Sequence, residues 1–127
     1  VYAVSFSPDG QAIASAGQHG DIKLWNLQGK LLKQWKAHSN QINSLSFSPD
    51  GSLIASASGD GSVKLWQPDG KLVRTLTSRS GQVYSVSFNV DRTTVATAHQ
   101  DGTVKHWRLS DGQEINTFLG HKGAVYG

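Results

Sequence analysis

The residues with chemistry to offer in this sequence are five histidines, set among serines, threonines and aspartates at short intervals. His38, Ser56 and Asp60 have the types of a hydrolytic triad: a hydroxyl nucleophile, an imidazole base and a carboxylate to orient it. Imidazole is also a common metal ligand, and His99 and His106 lie seven residues apart. Both ideas meet the same objection. Ser15, Ser56 and Thr97 stand at matching places, as do Asp60 and Asp101. A device that recurs along a chain is scaffold before it is an active site. His99 closes a strand pattern, and His106 takes the place that Leu24 and Leu65 hold elsewhere. No catalytic residue, metal ligand or cofactor is therefore assigned.

The elements that hold these residues come from an internal repeat, the feature to look for first because missing it misreads the whole fold. Val1-Tyr-Ala-Val-Ser-Phe-Ser-Pro-Asp-Gly10 returns as Ile42-Asn-Ser-Leu-Ser-Phe-Ser-Pro-Asp-Gly51, and more loosely as Val83-Tyr-Ser-Val-Ser-Phe-Asn-Val-Asp-Arg92, an offset of 41 residues each time. Ile13-Ala-Ser-Ala16 returns as Ile54–Ala57 and Val95–Ala98, and Ile22-Lys-Leu-Trp25 as Val63–Trp66 and Val104–Trp107. The units run 1–41, 42–82 and 83–124, and 125–127 restart the opening motif.

Each unit reads as four short strands, because runs of Val, Ile, Phe, Trp, Ser and Thr alternate with Gly, Pro and Asp turn signals. In the first unit the strands fall near Val1 to Phe6, Ala12 to Ala16, Ile22 to Leu27 and Leu31 to Trp35. Ser7-Pro8-Asp9-Gly10 and Ser48-Pro49-Asp50-Gly51 place Pro where φ must be near its fixed value and Gly where φ can turn positive. Asp60-Gly61 and Asp101-Gly102 suit tight hairpins. Asn89-Val90-Asp91-Arg92 lacks both Pro and Gly, which predicts a looser turn. Many strands are apolar or small on both faces, so each sheet must be covered on both sides. With no helix pattern to do so, sheets must stack on sheets, as in a radial array.

These motifs resemble the WD-repeat β-propeller family, the WD40 type, over essentially the whole chain. That family has a period of about 40–45 residues, a Gly-His before the innermost strand and a Trp-Asp closing the third. Gly120-His121 and Ala37-His38 stand four residues before Val125 and Ile42, while Arg79 takes that place before Val83. Trp25, Trp66 and Trp107 recur, but Asn26, Gln67 and Arg108 follow them in place of Asp. The resemblance implies a buried structural relay of loop His, strand Ser or Thr, turn Asp and Trp. The second unit has the full set, His38, Ser56, Asp60 and Trp66. The third has Thr97, Asp101 and Trp107. The first has Ser15 and Trp25, with His19 where Asp belongs and no loop His before it.

The fold class implied is all-β, made of propeller blades: three four-stranded antiparallel sheets forming half or a third of a ring. The function implied is a non-enzymatic scaffold that binds protein partners on a rim. The regular Ser-Pro-Asp-Gly units are similar to arrays attached to bacterial regulatory proteins. Along that rim Tyr2, Asn43 and Tyr84, with Gln18 and Gln100, vary between units while the strands agree, and variable loops on a regular scaffold read as a binding face. Tyr is enriched among interface hot spots, which puts Tyr2 and Tyr84 first. The repeated Lys23, Lys64 and Lys105 read as solvated edge charges that discourage strand pairing. Alternatives are an enzyme or metal-dependent propeller with a channel site, and an isolated fragment without native activity.

The net charge of +3 is scattered, so no nucleic-acid partner is implied, and no apolar run reaches the length of a membrane span. The absence of cysteine suits a reducing, cytoplasmic setting. Three blades are too few for a ring of 4–8. At about 25 cal/mol per Å², one uncovered sheet face of roughly 300 Å² forfeits about 7 kcal/mol. Head-to-tail self-association would cover such faces, with two chains giving six blades preferred to three giving nine. It would also bring His121 of one chain toward Ser15 and Trp25 of the next.

Overall fold

A computed structural model describes residues 3–77, 81–89, 93–109 and 112–118, with 116–118 traced by backbone alone. The first sheet is β1 (Ala3–Phe6), β2 (Ala12–Ala16), β3 (Asp21–Asn26) and β4 (Leu31–Lys36). The second is β5 (Ile42–Phe47), β6 (Ile54–Ser58), β7 (Ser62–Trp66) and β8 (Leu72–Thr77). The third is β9 (Val83–Phe88), β10 (Thr94–His99), β11 (Val104–Arg108) and β12 (Glu114–Phe118). Each is a meander in chain order, antiparallel throughout, and no helix occurs among the described residues. The architecture is all-β: three blades of a propeller that does not close.

The third strand of the first sheet lies one residue earlier than the pattern predicts, and the cause is local. Asn26 Oδ1 accepts from the backbone N–H groups of Gln28 and Lys30 at 3.0 and 2.9 Å, which ends β3 before Leu27. The Ser-Pro-Asp-Gly turns close as the residue types require. The N–H of Gly10, at φ 72°, donates to the Ser7 carbonyl at 2.9 Å, and Asp9 Oδ1 receives the Ser7 hydroxyl at 2.5 Å. The Asp-Gly hairpins at 58–61 and 99–102 are closed by bonds from Gly61 to Ser58 O and from Gly102 to His99 O, both 3.2 Å. Residues 90–92 of the turn expected to be looser lie outside the described residues. Its closing bond from Asn89 N–H to Thr94 O is 2.9 Å, the length found from Ser7 to Ala12 and from Ser48 to Leu53.

Alternation along the strands gives each sheet two apolar faces, and the middle sheet buries both. Toward the first sheet it presents Ile42, Leu45, Ile54 and Trp66, which pack with Ala14, Ala16, Ile22 and Leu24. Toward the third it presents Ala55, Ala57, Val63 and Leu65, which pack with Val83, Val86, Val95 and Trp107. All of β6 is buried in consequence. Small Ala side chains on one sheet against branched and aromatic ones on the next let the layers interdigitate at interior density. Trp35 of β4 adds to the first interface, its ring centroid 5.9 Å from that of Trp66.

Among the described residues nothing packs on the other side of the first sheet. Val4 is 58% and Phe6 62% exposed, whereas in the second sheet Leu45, the counterpart of Val4, is 7% exposed and Phe47, the counterpart of Phe6, is half-buried. Burying a side chain of this size is worth about 1.5–3 kcal/mol. The outer face of the third sheet carries the exposed Ala96 and the half-buried Val104 and His106.

Candidate functional site

In the second sheet a loop, a strand and a turn converge on one imidazole. The loop between β4 and β5 carries His38, which is 2% exposed. Ser56 of β6 lies 2.7 Å from its Nε2, and Asp60 Oδ2, in the β6–β7 turn, 2.9 Å from its Nδ1. The indole Nε1–H of Trp66 donates to Ser56 Oγ at 3.1 Å. The Asp60 carboxylate can only accept, so Nδ1–H donates to it, and Nε2 of the neutral ring accepts the Ser56 hydroxyl proton. Burial lowers the His38 pKa despite Asp60 nearby, so the ring is neutral. Burial would raise the Asp60 carboxyl, but hydrogen bonds from Ser62 and His38 outweigh it and hold the pKa below the ordinary value. Asp60 Oδ1 accepts from the Ser62 hydroxyl at 2.6 Å and its N–H at 2.9 Å.

The loop that delivers His38 is tied on both sides. Gly20, in the β2–β3 turn of the first sheet, accepts through its carbonyl from the N–H groups of Ala37 at 2.8 Å and His38 at 3.0 Å. From the second sheet, Lys64 Nζ donates to Ala37 O at 3.0 Å. Gly20 has φ 80°, and a Cβ there would lie 2.1 Å from the His38 carbonyl oxygen. Only glycine lets the turn approach this loop so closely.

The third sheet fills the same place differently. Trp107 Nε1–H donates to Thr97 Oγ1 at 2.9 Å, and Thr97 Oγ1 lies 2.6 Å from Nε2 of His99, two residues further along β10. His99 is fully buried, and its Nδ1 has no hydrogen-bond partner among the described residues. Burial and then Lys105 push its pKa down to about 4, against the opposing pull of Asp101 and Glu114. Asp101 accepts the Thr103 hydroxyl at 2.6 Å. Arg79, which stands where a loop histidine would, lies outside the described residues. His106 pairs across the sheet with Ala96, whereas His99 shares the face of Thr97, so the two histidines that invited a metal reading sit on opposite faces.

In the first sheet the arrangement stops at the hydroxyl. Trp25 Nε1–H donates to Ser15 Oγ at 2.9 Å, and Ser15 opens into a pocket of about 240 Å³ whose walls include Gly17, His19, Asp21 and Lys23. The register opposes Ser15 to Lys23 as it opposes Ser56 to Lys64. Asp21 holds the position of Ser62, whose Oγ is 3.3 Å from His38 Nδ1. A carboxylate is thus present beside the pocket although His19 replaces the turn Asp. The sequence pattern showed the His19 exchange, but only the fold places Asp21, whose Oδ1 lies 3.9 Å from Lys36 Nζ, in the wall of the pocket. His121 lies outside the described residues.

Of the rim candidates, Asn43 and Tyr84 occupy equivalent bulges. The pairing of β5 with β6 skips Asn43 between Ile42 and Ser44, and that of β9 with β10 skips Tyr84 between Val83 and Ser85. Bulges of this kind re-aim a side chain out of the ladder. Asn43 Nδ2 donates to Val83 O at 3.0 Å, linking the second and third sheets. Gln18 and Gln100 are exposed in matching turns, and Gln100 Oε1 accepts from Gln82 N–H at 3.2 Å. Tyr2 lies outside the described residues. Two residues not singled out from sequence belong to this rim: Gln41 Nε2 donates to Gln82 Oε1 at 3.2 Å across the same sheets. Their signal was available, since both directly precede the residue that opens a first strand. The repeated lysines are not uniformly solvated edge charges. Lys64 bonds the Ala37 carbonyl, and Lys105 pairs with Glu114 at 2.8 Å.

The Ser56 hydroxyl is fully buried and its proton and oxygen are both engaged, which leaves no approach for a substrate carbonyl. No group of three His, Asp or Glu converges as metal ligands among the described residues. Among the described residues no helix is long and apolar enough to cross a membrane. The family model described as WD domain, G-beta repeat matches residues 1–26, 29–67 and 70–108, most of the chain. A stretch of 34 residues, 27% of this chain, is 44% identical to a WD repeat-containing protein of Synechocystis sp. and spans 10% of that protein's length.

Proposed function

The chain belongs to the WD domain, G-beta repeat family, and from that premise we propose that it is a non-enzymatic, cytoplasmic scaffold for protein partners that completes its propeller with copies of itself. In this reading the units are 1–41, 42–82 and 83–124. The rim around Asn43, Tyr84, Gln18 and Gln100 is the face offered to a partner, and Tyr2 would belong to it.

One observation carries the reading: the uncovered face of the first sheet, with Val4 58% exposed against 7% for its counterpart Leu45, and Phe6 62% exposed where Phe47 is half-buried. The interface between the first and second sheets supplies the template for covering it. There, small residues on one face meet branched and aromatic residues on the next. The outer face of the third sheet, with Ala96, Ala98, Val104 and His106, is the small-residue side of such a pair. Faces that differ in this way join head to tail, and a head-to-tail contact closes only as a ring. Two chains, six blades, is the closure we favour.

Light scattering on the purified chain between about 1 and 100 µM tests this, a range in which a ring held by about 8 kcal/mol or more should persist. We expect twice the chain mass of 13.7 kDa. A single chain mass across the range would sink the reading, and three times that mass would correct the count to nine blades.

A further inference from the structure

The pocket beside Ser15 is more than a gap at the edge of a sheet, because the second sheet shows what the same framework holds when filled. There the ring of His38 takes the Ser56 proton, its Nδ1–H meets a carboxylate, and Lys64 clasps the carbonyl just before the histidine. The first sheet keeps the polar half of this arrangement. Ser15 Oγ accepts from Trp25 just as Ser56 accepts from Trp66, at 2.9 and 3.1 Å. The Ser15 proton has no described acceptor, and Lys23 stands opposite Ser15 in the register that places Lys64 opposite Ser56. Asp21 sits where the Ser62 hydroxyl approaches the imidazole at 3.3 Å. The framework thus has an acceptor for Nδ1–H, a donor for Nε2 and a donor for one backbone carbonyl, around a space of about 240 Å³.

The sequence contains one further segment of matching form. Gly120-His121 precedes Val125 at the spacing by which Ala37-His38 precedes Ile42. We propose that the Ser15 pocket is a socket for Gly120-His121 of a second copy of this chain. In it Nε2 of the incoming imidazole accepts the Ser15 hydroxyl proton, its Nδ1–H donates to Asp21, and Lys23 donates to the Gly120 carbonyl. This rests on the self-association proposed above and names the contact that gives it direction. The apolar faces alone would tolerate sliding or inversion. A buried imidazole with three partners fixes one register, since a misplaced ring would leave polar groups unpaired.

The test uses the full chain, with dissociation constants from sedimentation velocity. His121→Ala removes the plug, while Asp21→Ala and Lys23→Met alter the socket at part-exposed positions without touching the Trp25–Ser15 bond. Each should raise the dissociation constant about tenfold or more, the size of one or two lost buried hydrogen bonds. Mixing His121→Ala with Lys23→Met should associate more tightly than either variant alone, because one junction of the mixed pair unites an intact socket with an intact histidine. Binding by His121→Ala equal to that of the parent chain, or no gain on mixing, would overturn the socket while leaving ring closure through apolar faces standing. A parent chain that stays monomeric would instead remove the self-association on which the socket rests.

Discussion

The second and third sheets meet the same local demand with imidazoles brought from different places. Each has an indole N–H directed at a strand hydroxyl, and each sets a histidine Nε2 within hydrogen-bond distance of that hydroxyl. In the second sheet the ring arrives on a loop that is itself bonded to the first sheet through Gly20. In the third it arrives on the same strand as the hydroxyl. The loop-borne ring satisfies both nitrogens and pins to the second sheet a loop whose backbone is bonded to the first. The strand-borne ring satisfies one nitrogen with a hydroxyl of its own strand and leaves Nδ1 buried with no partner among the described residues. The hydrogen-bond chain is therefore separable into two roles: satisfying the indole and hydroxyl, which either histidine performs, and holding a loop that is bonded to the neighbouring sheet, which His38 performs.

Breaking the tie from the side of the first sheet should have the largest effect. Gly20→Ala imposes a side chain at φ 80° and a Cβ 2.1 Å from a backbone oxygen, which only movement of the whole loop can relieve. Strain and loop displacement together should cost about 4 kcal/mol in urea unfolding. Gly10→Ala, at φ 72° but with nothing within 4 Å, controls for backbone strain alone and should cost about 1 kcal/mol. Equal losses would show that the loop contact does not matter.

Removing the rings themselves comes next. His38→Ala strands the Ser56 proton and the Asp60 carboxylate and leaves a cavity, for a loss of about 3 kcal/mol. His99→Ala removes one hydrogen bond but also an unsatisfied buried nitrogen, so it should lose about half as much. Hydrogen exchange separates the roles. His38→Ala should lower protection in the β2–β3 turn of the first sheet as well as in the second, whereas His99→Ala should leave its effect within the third. An effect of His99→Ala that spreads to the second sheet would merge what the geometry separates.

The three sheets, their meander order and most strand limits were legible in the sequence because turn chemistry and period-two patterning are local, and the 41-residue offset repeats them. The partners of His38 were legible through the family resemblance alone, since nothing local joins a loop to a hydroxyl 18 residues away. What stayed hidden depends on register and approach. Asn43 and Tyr84 look like ordinary strand residues until the pairing skips them. Gly20 looks like any turn glycine until the His38 carbonyl is seen against it. His99 reads as the last residue of a strand, and only the side-chain geometry shows it standing in for a missing loop histidine. Asp21 differs from Ser62 by one substitution in a pattern, and its value beside the pocket appears once the second sheet shows what Ser62 faces.

The smallest effect is also the one that isolates His99. Its folded pKa of about 4 lies below the ordinary histidine value, so protonation favours the unfolded chain. The stability that follows is fully present above about pH 6.5 and is lost as pH falls from there toward 4, about 2.5 kcal/mol of it by pH 4.5. The charges that bear on the ring are Lys105, which reinforces the depression, and Asp101 and Glu114, which oppose it without overcoming burial. His38 loses stability in the same direction because its pKa is also lowered. Asp60, whose carboxyl is lowered, loses its contribution only at more acid pH, near and below the ordinary carboxylate value. Those parts are shared by a variant that changes His99 alone. His99→Ser supplies the residue that the second sheet carries at this place, Ser58. At pH 7 the variant should be less stable than the parent by about 1–2 kcal/mol, through the lost partner of Thr97. On acidification the parent should fall faster, so that urea-unfolding free energies meet and then cross near pH 5. Parallel curves from pH 7 to 4.5 would mean that the buried ring does not titrate against folding, and the contrast between a satisfied and a half-satisfied imidazole would lose its energetic meaning.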